Sequence, residues 1–267
     1  GDGMSQNKKN VAHSIFQRLL NRAKSNKEDF NLLLARYAME RFLYRLSVSP
    51  SKDQFILKGA SLFLAWKGQN YRVTRDADFL GFDNADIVQL ADQFREICSI
   101  EFQRDGMSYL AESLNAEEIR EDHEYDGVRI TMVGMLNQAR IPLQIDIGFG
   151  DAITPAPEQI DYPTIFDAPS PRLKAYPRYT LMSEKVETIV KLGLANSRMK
   201  DFYDIWLLSK LFSFEGNILR RALKNTFDRR HTAFPASQPF VLTPAFHEDP
   251  QKMVQWAAFV KKSKPDI

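Results

Sequence analysis

The chain has 267 residues, 44% of them hydrophobic and 26% charged, with a formal charge of +2. This composition suits a globular protein with a substantial core and excludes a disordered or low-complexity chain. The single cysteine, Cys98, excludes an internal disulfide framework, and the scattered His13, His123, His231 and His247 lack zinc-ligand spacing. No apolar run approaches the roughly 20 residues of a membrane span, so no membrane association is expected. The first residues also lack the basic-then-apolar order of a secretory signal, and the expected location is the cytoplasm. Cys98, between Ile97 and Ile100, reads as a packed thiol. The charge is uneven: residues 75 to 170 sum to about −14 and residues 172 to 230 to about +7. Such a division can set a metal-collecting surface against a phosphate-collecting one, although solvated faces are the plainer reading.

In chain order, residues 11 to 48 read as helices, with Val11, Ile15, Leu19 and Leu20 at helical spacing and Leu32, Leu33, Tyr37, Met39, Phe42, Leu43 and Leu46 repeating it. Ser25-Asn26-Lys27 separates the two, and Pro50 closes the segment. Residues 53–58 form a short strand running into Gly59, and 60–67 a helix. After the turn Gly68-Gln69-Asn70, Val73 to Leu80 is a second strand, and 84–98 an amphipathic helix with Ile87, Leu90, Ala91 and Phe94 on one stripe. A loop at Asp105-Gly106 precedes strands at 128–134 and 141–149. In the latter, Leu143, Ile145, Ile147 and Phe149 share one face, and Gln144, Asp146 and Gly148 the other. Residues 150–179 carry a run of prolines that reads as an extended connection, placing a domain boundary near 170. Helices follow at 183–196, 200–212, 215–227 and 250–262.

The segment Thr74-Arg75-Asp76-Ala77-Asp78 carries the chemistry. Residues i and i+2 of a strand point to one face, with alpha carbons about 6.6 Å apart. Two carboxylates so placed repel unless a cation lies between them, and hard oxygen donors suit magnesium. Asp146, on the polar face of its strand, adds a third carboxylate. The expected metal ligands are therefore Asp76, Asp78 and Asp146, holding two magnesium ions, with manganese as a substitute. Lys58-Gly59-Ala60-Ser61, between a strand and a helix, is the expected phosphate-binding turn. Arg75 either supports a triphosphate or balances its acidic neighbours.

The order strand, glycine turn, helix, Asp-x-Asp strand and later Asp strand is similar to the polymerase-beta-like nucleotidyltransferase layout. Further pieces narrow the likeness: Gln144-Ile145-Asp146-Ile147-Gly148-Phe149-Gly150-Asp151, Ala175-Tyr176-Pro177, Glu184-Lys185, Asn196-Ser197-Arg198-Met199-Lys200-Asp201-Phe202-Tyr203-Asp204, Thr226-Phe227-Asp228-Arg229-Arg230 and Gln255-Trp256. In this order they resemble the AbiEii/AbiGii toxin family of nucleotidyltransferases, from about residue 10 onward. Two positions depart from that pattern: Ala60 stands where the family has a second glycine, and Ser183 where alanine is common.

The resemblance implies an α+β fold, with a mixed or antiparallel nucleotidyltransferase-type sheet carrying helices on one side (residues 1–170). A helical C-terminal domain (171–267) would follow. It implies transfer of a nucleotide from a nucleoside triphosphate to an acceptor hydroxyl such as tRNA, and a toxin paired with a cognate antitoxin. It also implies Lys185 as a phosphate contact and Asp204 as an accessory catalytic carboxylate. From spacing alone Lys185 lies beside the stripe Val186, Ile189, Val190 and Gly193. Asp201 suits a helix cap, Asp204 stands between capping and catalysis, and Arg198 pairs with an acid or binds phosphate. Phe202, Trp206 and Leu208 read as core. Arg220, Arg221, Lys224, Arg229 and Arg230 make a basic face suited to RNA. Two other classes fit the same residues: a degenerate fold that only binds a nucleotide, RNA or partner, and a metal-dependent phosphohydrolase.

Overall fold

A computed structural model describes residues 2–82, 86–121 and 124–267. The expected helix start at 84 and 85, and His123, lie outside the described residues. The chain opens with α1 (Asp2–Asn26) and α2 (Phe30–Ser47), the latter capped by Asp29, whose side chain accepts from the Leu32 amide. Strand β1 (Phe55–Lys58) leads through Gly59 into α3 (Ser61–Lys67), and β2 (Ala77–Gly81) is followed by α4 (Ile87–Cys98). Then come β3 (Met107–Glu121), β4 (Glu124–Leu136), β5 (Ala139–Phe149), β6 (Glu158–Asp161) and β7 (Arg172–Ala175). The chain ends in α5 (Arg178–Leu192), α6 (Met199–Leu211), α7 (Gly216–Arg229), the short α8 (Pro244–His247) and α9 (Pro250–Ser263). Among the described residues no helix is long and apolar enough to cross a membrane.

The described strands form one seven-stranded mixed sheet in the order β3-β4-β5-β2-β1-β7-β6. β2 runs parallel to β5 and antiparallel to β1, and β1 runs parallel to β7. One face is apolar: Leu57, Phe79, Ile145, Ile147, Ile130 and Val128 are buried in a core they share with Leu19, Phe42 and Phe94 of α1, α2 and α4. That core also takes in Leu181, Tyr203 and Leu208 of the C-terminal helices. The boundary expected near 170 falls between β6 and β7, which pair with each other.

Two expectations change. The stretch before residue 128 is a long strand, β3, rather than a loop. Its Glu-rich sequence hides the alternation because it is an edge strand with one open face. Asp105, in the expected loop, is fully buried, taking Arg41 Nε at 3.2 Å, Arg45 Nη1 at 2.8 Å and the Met107 amide at 2.9 Å. It ties α2 to the start of β3. The sulfur of Cys98 is buried against Met132, and burial pushes its thiol up to about 12, the state of a packed, unreactive thiol.

Candidate active site

Strand register puts the charged residues of the open face in one transverse row. Lys58 of β1 lies opposite Asp78 of β2, Asp78 beside Asp146 of β5, and Asp146 opposite Arg129 of β4. Adjacent strands lie about 4.8 Å apart, so the row is compact. Asp76, two residues before Asp78, sits just ahead of β2 and accepts from Gln144 Nε2 at 3.3 Å. Loss of surrounding water, then the negative charges of Asp146 and Asp78, push the Asp76 carboxyl above its ordinary range. The three expected carboxylates therefore stand together.

Gly59 fits against this row. Its φ is +76°, which favours glycine, and a Cβ there would collide with the Asp78 carboxylate. Ser61 Oγ donates to the Lys58 carbonyl at 3.4 Å, and Ala60 opens α3 without a side-chain cap. Lys58, expected in the phosphate-binding turn, is engaged by acids instead. Its Nζ passes over Gly148 to Asp151 at 3.8 Å and Glu184 at 4.0 Å.

The third carboxylate is already engaged. Arg129 donates to both oxygens of Asp146, at 2.9 and 3.0 Å, and this bond raises its own guanidinium pKa. Among the described residues no group of three His, Cys, Asp or Glu side chains is arranged to hold a metal ion. The donor chemistry still fits magnesium. That ion is typically bound by one or two carboxylates plus substrate phosphates rather than by an all-protein cage, and Asp76 and Asp78 offer two hard, mutually repelling carboxylates.

A second wall comes from the C-terminal helices. Lys185 on α5 donates to Asp201 Oδ1 at 2.8 Å and pairs with Asp204 Oδ2 at 3.1 Å, both on α6. Asp204 is fully buried and accepts a bidentate pair from Arg72, Nε and Nη2 each at 2.9 Å. Burial alone would raise the Asp204 carboxyl, but Lys185 and Arg72 hold it below its ordinary range. Arg72 is itself positioned by the chain end: Val73 donates to the Ser263 carbonyl at 2.9 Å and Asp266 to the Tyr71 carbonyl at 2.7 Å. Arg72 feels Asp78, and Lys200 feels both Asp76 and Asp78, so this cationic wall faces the carboxylates.

The capping role expected for Asp201 is not seen, since α6 has no side-chain cap. Its carboxylate instead joins Lys185 and, at 3.0 Å, Arg198. Trp206 is 42% exposed rather than core, because the inward face of α6 is taken by Tyr203, Asp204, Leu207 and Leu208. Arg230 faces inward rather than towards a basic surface. It donates to both oxygens of Asp151 at 2.9 and 3.2 Å, to Glu184 at 2.9 Å and to Glu187 at 2.8 Å.

This buried cluster titrates. Burial, with Asp151 beside it, pushes Glu184 up to about 7 even though Lys58 and Arg230 oppose the shift, and Tyr176 donates to it at 3.0 Å. Asp151 is held down at about 2, by Arg230 and Lys58 against its own burial. A carboxyl raised in the folded state favours folding below its unfolded pKa and loses that advantage as pH rises through the folded one. Raising the pH from 5 to 8 is therefore expected to lower stability through Glu184 by up to about 3 kcal/mol. Melting curves of the wild type and Glu184→Gln check this: the variant should lose that part of the pH slope, and parallel curves would refute the assignment.

Two clefts meet at Asp76. One, of about 260 Å³, is lined by Arg36, Ser61, Arg72, Arg75, Asp76 and Tyr162 among others. The other, of about 530 Å³, runs past Asn31, Arg75, Asp76, Thr131, Arg140 and Gln144. Arg75 is exposed and projects into both. Sequence reading missed Arg36, Arg72 and Arg129, and took Arg230 only as part of a basic face. Arg72, Arg129 and Arg230 pair with residues distant in the chain, and spacing carries no trace of that.

Comparison with known proteins bears on the family and the fold. The family model described as nucleotidyl transferase AbiEii toxin, type IV TA system, matches residues 41–267. A search of curated proteins finds no similar sequence. Among solved structures, the chain is similar to MenT4, a nucleotidyltransferase toxin from Mycobacterium tuberculosis H37Rv. That match has 16% identity and a TM-score of 0.58 over 88% of this chain and 79% of the other, a likeness of fold. JHP933 from Helicobacter pylori matches at 13% identity and a TM-score of 0.46, over 86% and 97% of the two chains. With the sheet order, the glycine turn against the Asp-x-Asp strand and a family match across most of its length, the chain belongs to the AbiEii nucleotidyltransferase toxin family.

Proposed function

We propose that this protein transfers a nucleotidyl group from a nucleoside triphosphate to an acceptor hydroxyl, with magnesium held by Asp76, Asp78 and Asp146. The observation that carries the reading is the adjacency of Asp78 and Asp146 on parallel strands, with Asp76 beside them and Gly59 pressed against Asp78. Bound there, magnesium would supply Lewis-acid stabilisation of phosphate charge. The acceptor oxygen forms a bond to the α-phosphorus, the bond from that phosphorus to the β-phosphate oxygen breaks, and pyrophosphate leaves. Asp146 has two roles open to it, metal ligand or proton acceptor. Arg129 donates to both of its oxygens, which leaves one lone pair on each; in the ligand role the hydroxyl proton passes to water.

Lys185 and Arg198 are assigned to the phosphates as charge develops, and Asp204 to holding Lys185 and Arg72 in place. Arg75, which lines both clefts, is assigned to the phosphates where the clefts meet. Gly59, Ala60 and Ser61 let the chain turn close to the triphosphate, while Lys58 anchors that turn to Asp151 and Glu184. The smaller cleft takes the nucleotide and the larger groove the acceptor. RNA, tRNA included, is the acceptor class we assign, on the exposed Arg220, Arg221 and Lys224 of α7. The type IV toxin–antitoxin description of the family supports a cognate antitoxin as partner.

One observation favours a second reading, a nucleotide binder without turnover: the hold of Arg129 on both oxygens of Asp146. Incubation with each labelled nucleoside triphosphate and total RNA, with magnesium and then with a chelator, separates the two. Magnesium-dependent label in RNA is the expected result. Thermal stabilisation by a triphosphate with no label transferred to any acceptor would support the binder, and neither effect would defeat both.

A further inference from the structure

The smaller cleft has one wall that the family match does not reach. Residues 28–39, from the α1–α2 junction and the first turns of α2, line it, and the match begins at residue 41. Arg36 projects from this wall into the space that also holds Ser61, Arg72 and Asp76.

Charge accounting isolates Arg36. The acids around it have other partners: Glu28 pairs with Arg22 at 3.2 Å and Glu40 with Arg41 at 2.9 Å, Asp29 accepts from the Leu32 amide at 3.0 Å, and Asp76, in the same cleft, accepts from Gln144 at 3.3 Å. Among the described residues Arg36 has no carboxylate within ion-pair distance. It is nevertheless partly removed from water, and this desolvation lowers its guanidinium pKa, although Tyr162, Glu40 and Glu28 oppose the shift and Arg22 adds to it. A half-buried, unpaired guanidinium is costly to keep, and its planar fork of donors matches phosphate oxygens.

Resting on the nucleotidyl-transfer reading, we infer that Arg36 is a binding residue for the outer phosphates of the nucleoside triphosphate, supplied by the first turns of α2, ahead of the matched residues 41–267. Arg72 and Arg75 line the same cleft, but Arg72 is spoken for by Asp204 and Arg75 is open to solvent. Arg36 thus supplies a half-buried charge with no carboxylate partner among the described residues, whereas Arg75 and Lys264 of the same cleft are exposed. Contact with the outer phosphates means that Arg36 distinguishes a triphosphate from a monophosphate and leaves the base unread.

The test is calorimetric titration of wild type, Arg36→Ala and Arg36→Gln with ATP, CTP, GTP and UTP and with the matching monophosphates, magnesium present, after circular dichroism has checked the fold. Loss of the charge-assisted bonds is expected to weaken triphosphate binding about 10- to 100-fold. Monophosphate binding should stay within about twofold of the wild type, a difference of some 0.4 kcal/mol. Unchanged triphosphate affinity would overturn the role of Arg36 while leaving the transfer reading intact. Equal loss for both ligand classes would also overturn it, pointing to a general effect on the cleft. Failure of the wild type to bind any triphosphate would remove the transfer reading, and Arg36 with it. Should both variants unfold, the wild type alone decides. Phenylglyoxal modification of Arg36, mapped by mass spectrometry, should be blocked by a triphosphate and not by a monophosphate, and labelling indifferent to both would refute the inference.

Discussion

Asp78→Asn is expected to reduce nucleotidyl transfer by roughly three orders of magnitude, about 4 kcal/mol of transition-state stabilisation, and Asp76→Asn to do the same. The fold should survive, because Asp76 is exposed and the side chain of Asp78 lies on the open face of the sheet. The substitution keeps shape and removes charge. It also relieves the repulsion that raises the Asp76 carboxyl, so the Asn variants should melt no lower than the wild type, and they should lose the stabilisation by magnesium plus triphosphate. Three measurements on each variant suffice: labelled-nucleotide incorporation, melting temperature, and the melting shift with magnesium and triphosphate. Wild-type rates in both variants would end the proposal that these carboxylates hold the ion. A large fall in melting temperature would mean that they serve the fold instead.

Asp204→Ala should be the more damaging change to stability. Asp204 is fully buried and accepts from Arg72 twice while pairing with Lys185, whose side chains are 10% and 13% exposed. Removing one partner of a buried ion pair leaves uncompensated charge and costs about 3–5 kcal/mol. For a chain of this size that is a fall of roughly 10 °C in melting temperature. A structural role and a positioning role can be told apart. If Asp204 orients Arg72 and Lys185 for the phosphates, then below the melting transition Asp204→Asn should keep part of the stability and still lose transfer rate, with a weaker KM for the triphosphate. A double-mutant cycle with Arg72→Ala should show strong coupling. Additive losses would mean that the observed bidentate pair does not organise this wall.

Much of the strand pair of the candidate site could be read in advance, for a physical reason. Side chains alternate on a strand, so IPLQIDIGF by itself places Asp146 opposite an apolar face, and Asp76-Ala77-Asp78 places two acids on one side. The Gly59 turn was legible too, because a positive φ at a strand-to-helix junction is a demand that glycine meets. What alternation cannot give is register. Nothing in VRITMVG says that Arg129, rather than Thr131, will lie opposite Asp146, and that pairing decides whether the third carboxylate is free or held. The helical residues were harder still. Asp201 and Asp204 sit where capping is the cheap local solution, and the structure gives them Lys185, Arg198 and Arg72 from elsewhere in the chain.

By itself the sequence determined most of the helices, the strands β1, β2, β4 and β5 and the chemistry of their faces, since propensity, periodicity and turn residues act over a few neighbours, but not β3, β6 or β7. Tertiary structure alone decided which charges meet: Arg129 with Asp146, Arg72 with Asp204 and Arg230 with Glu184, while Arg36 has no carboxylate at ion-pair distance among the described residues. Electrostatic partnership depends on distance in space, and folding brings together residues that the chain keeps more than a hundred positions apart, as with Arg72 and Asp204.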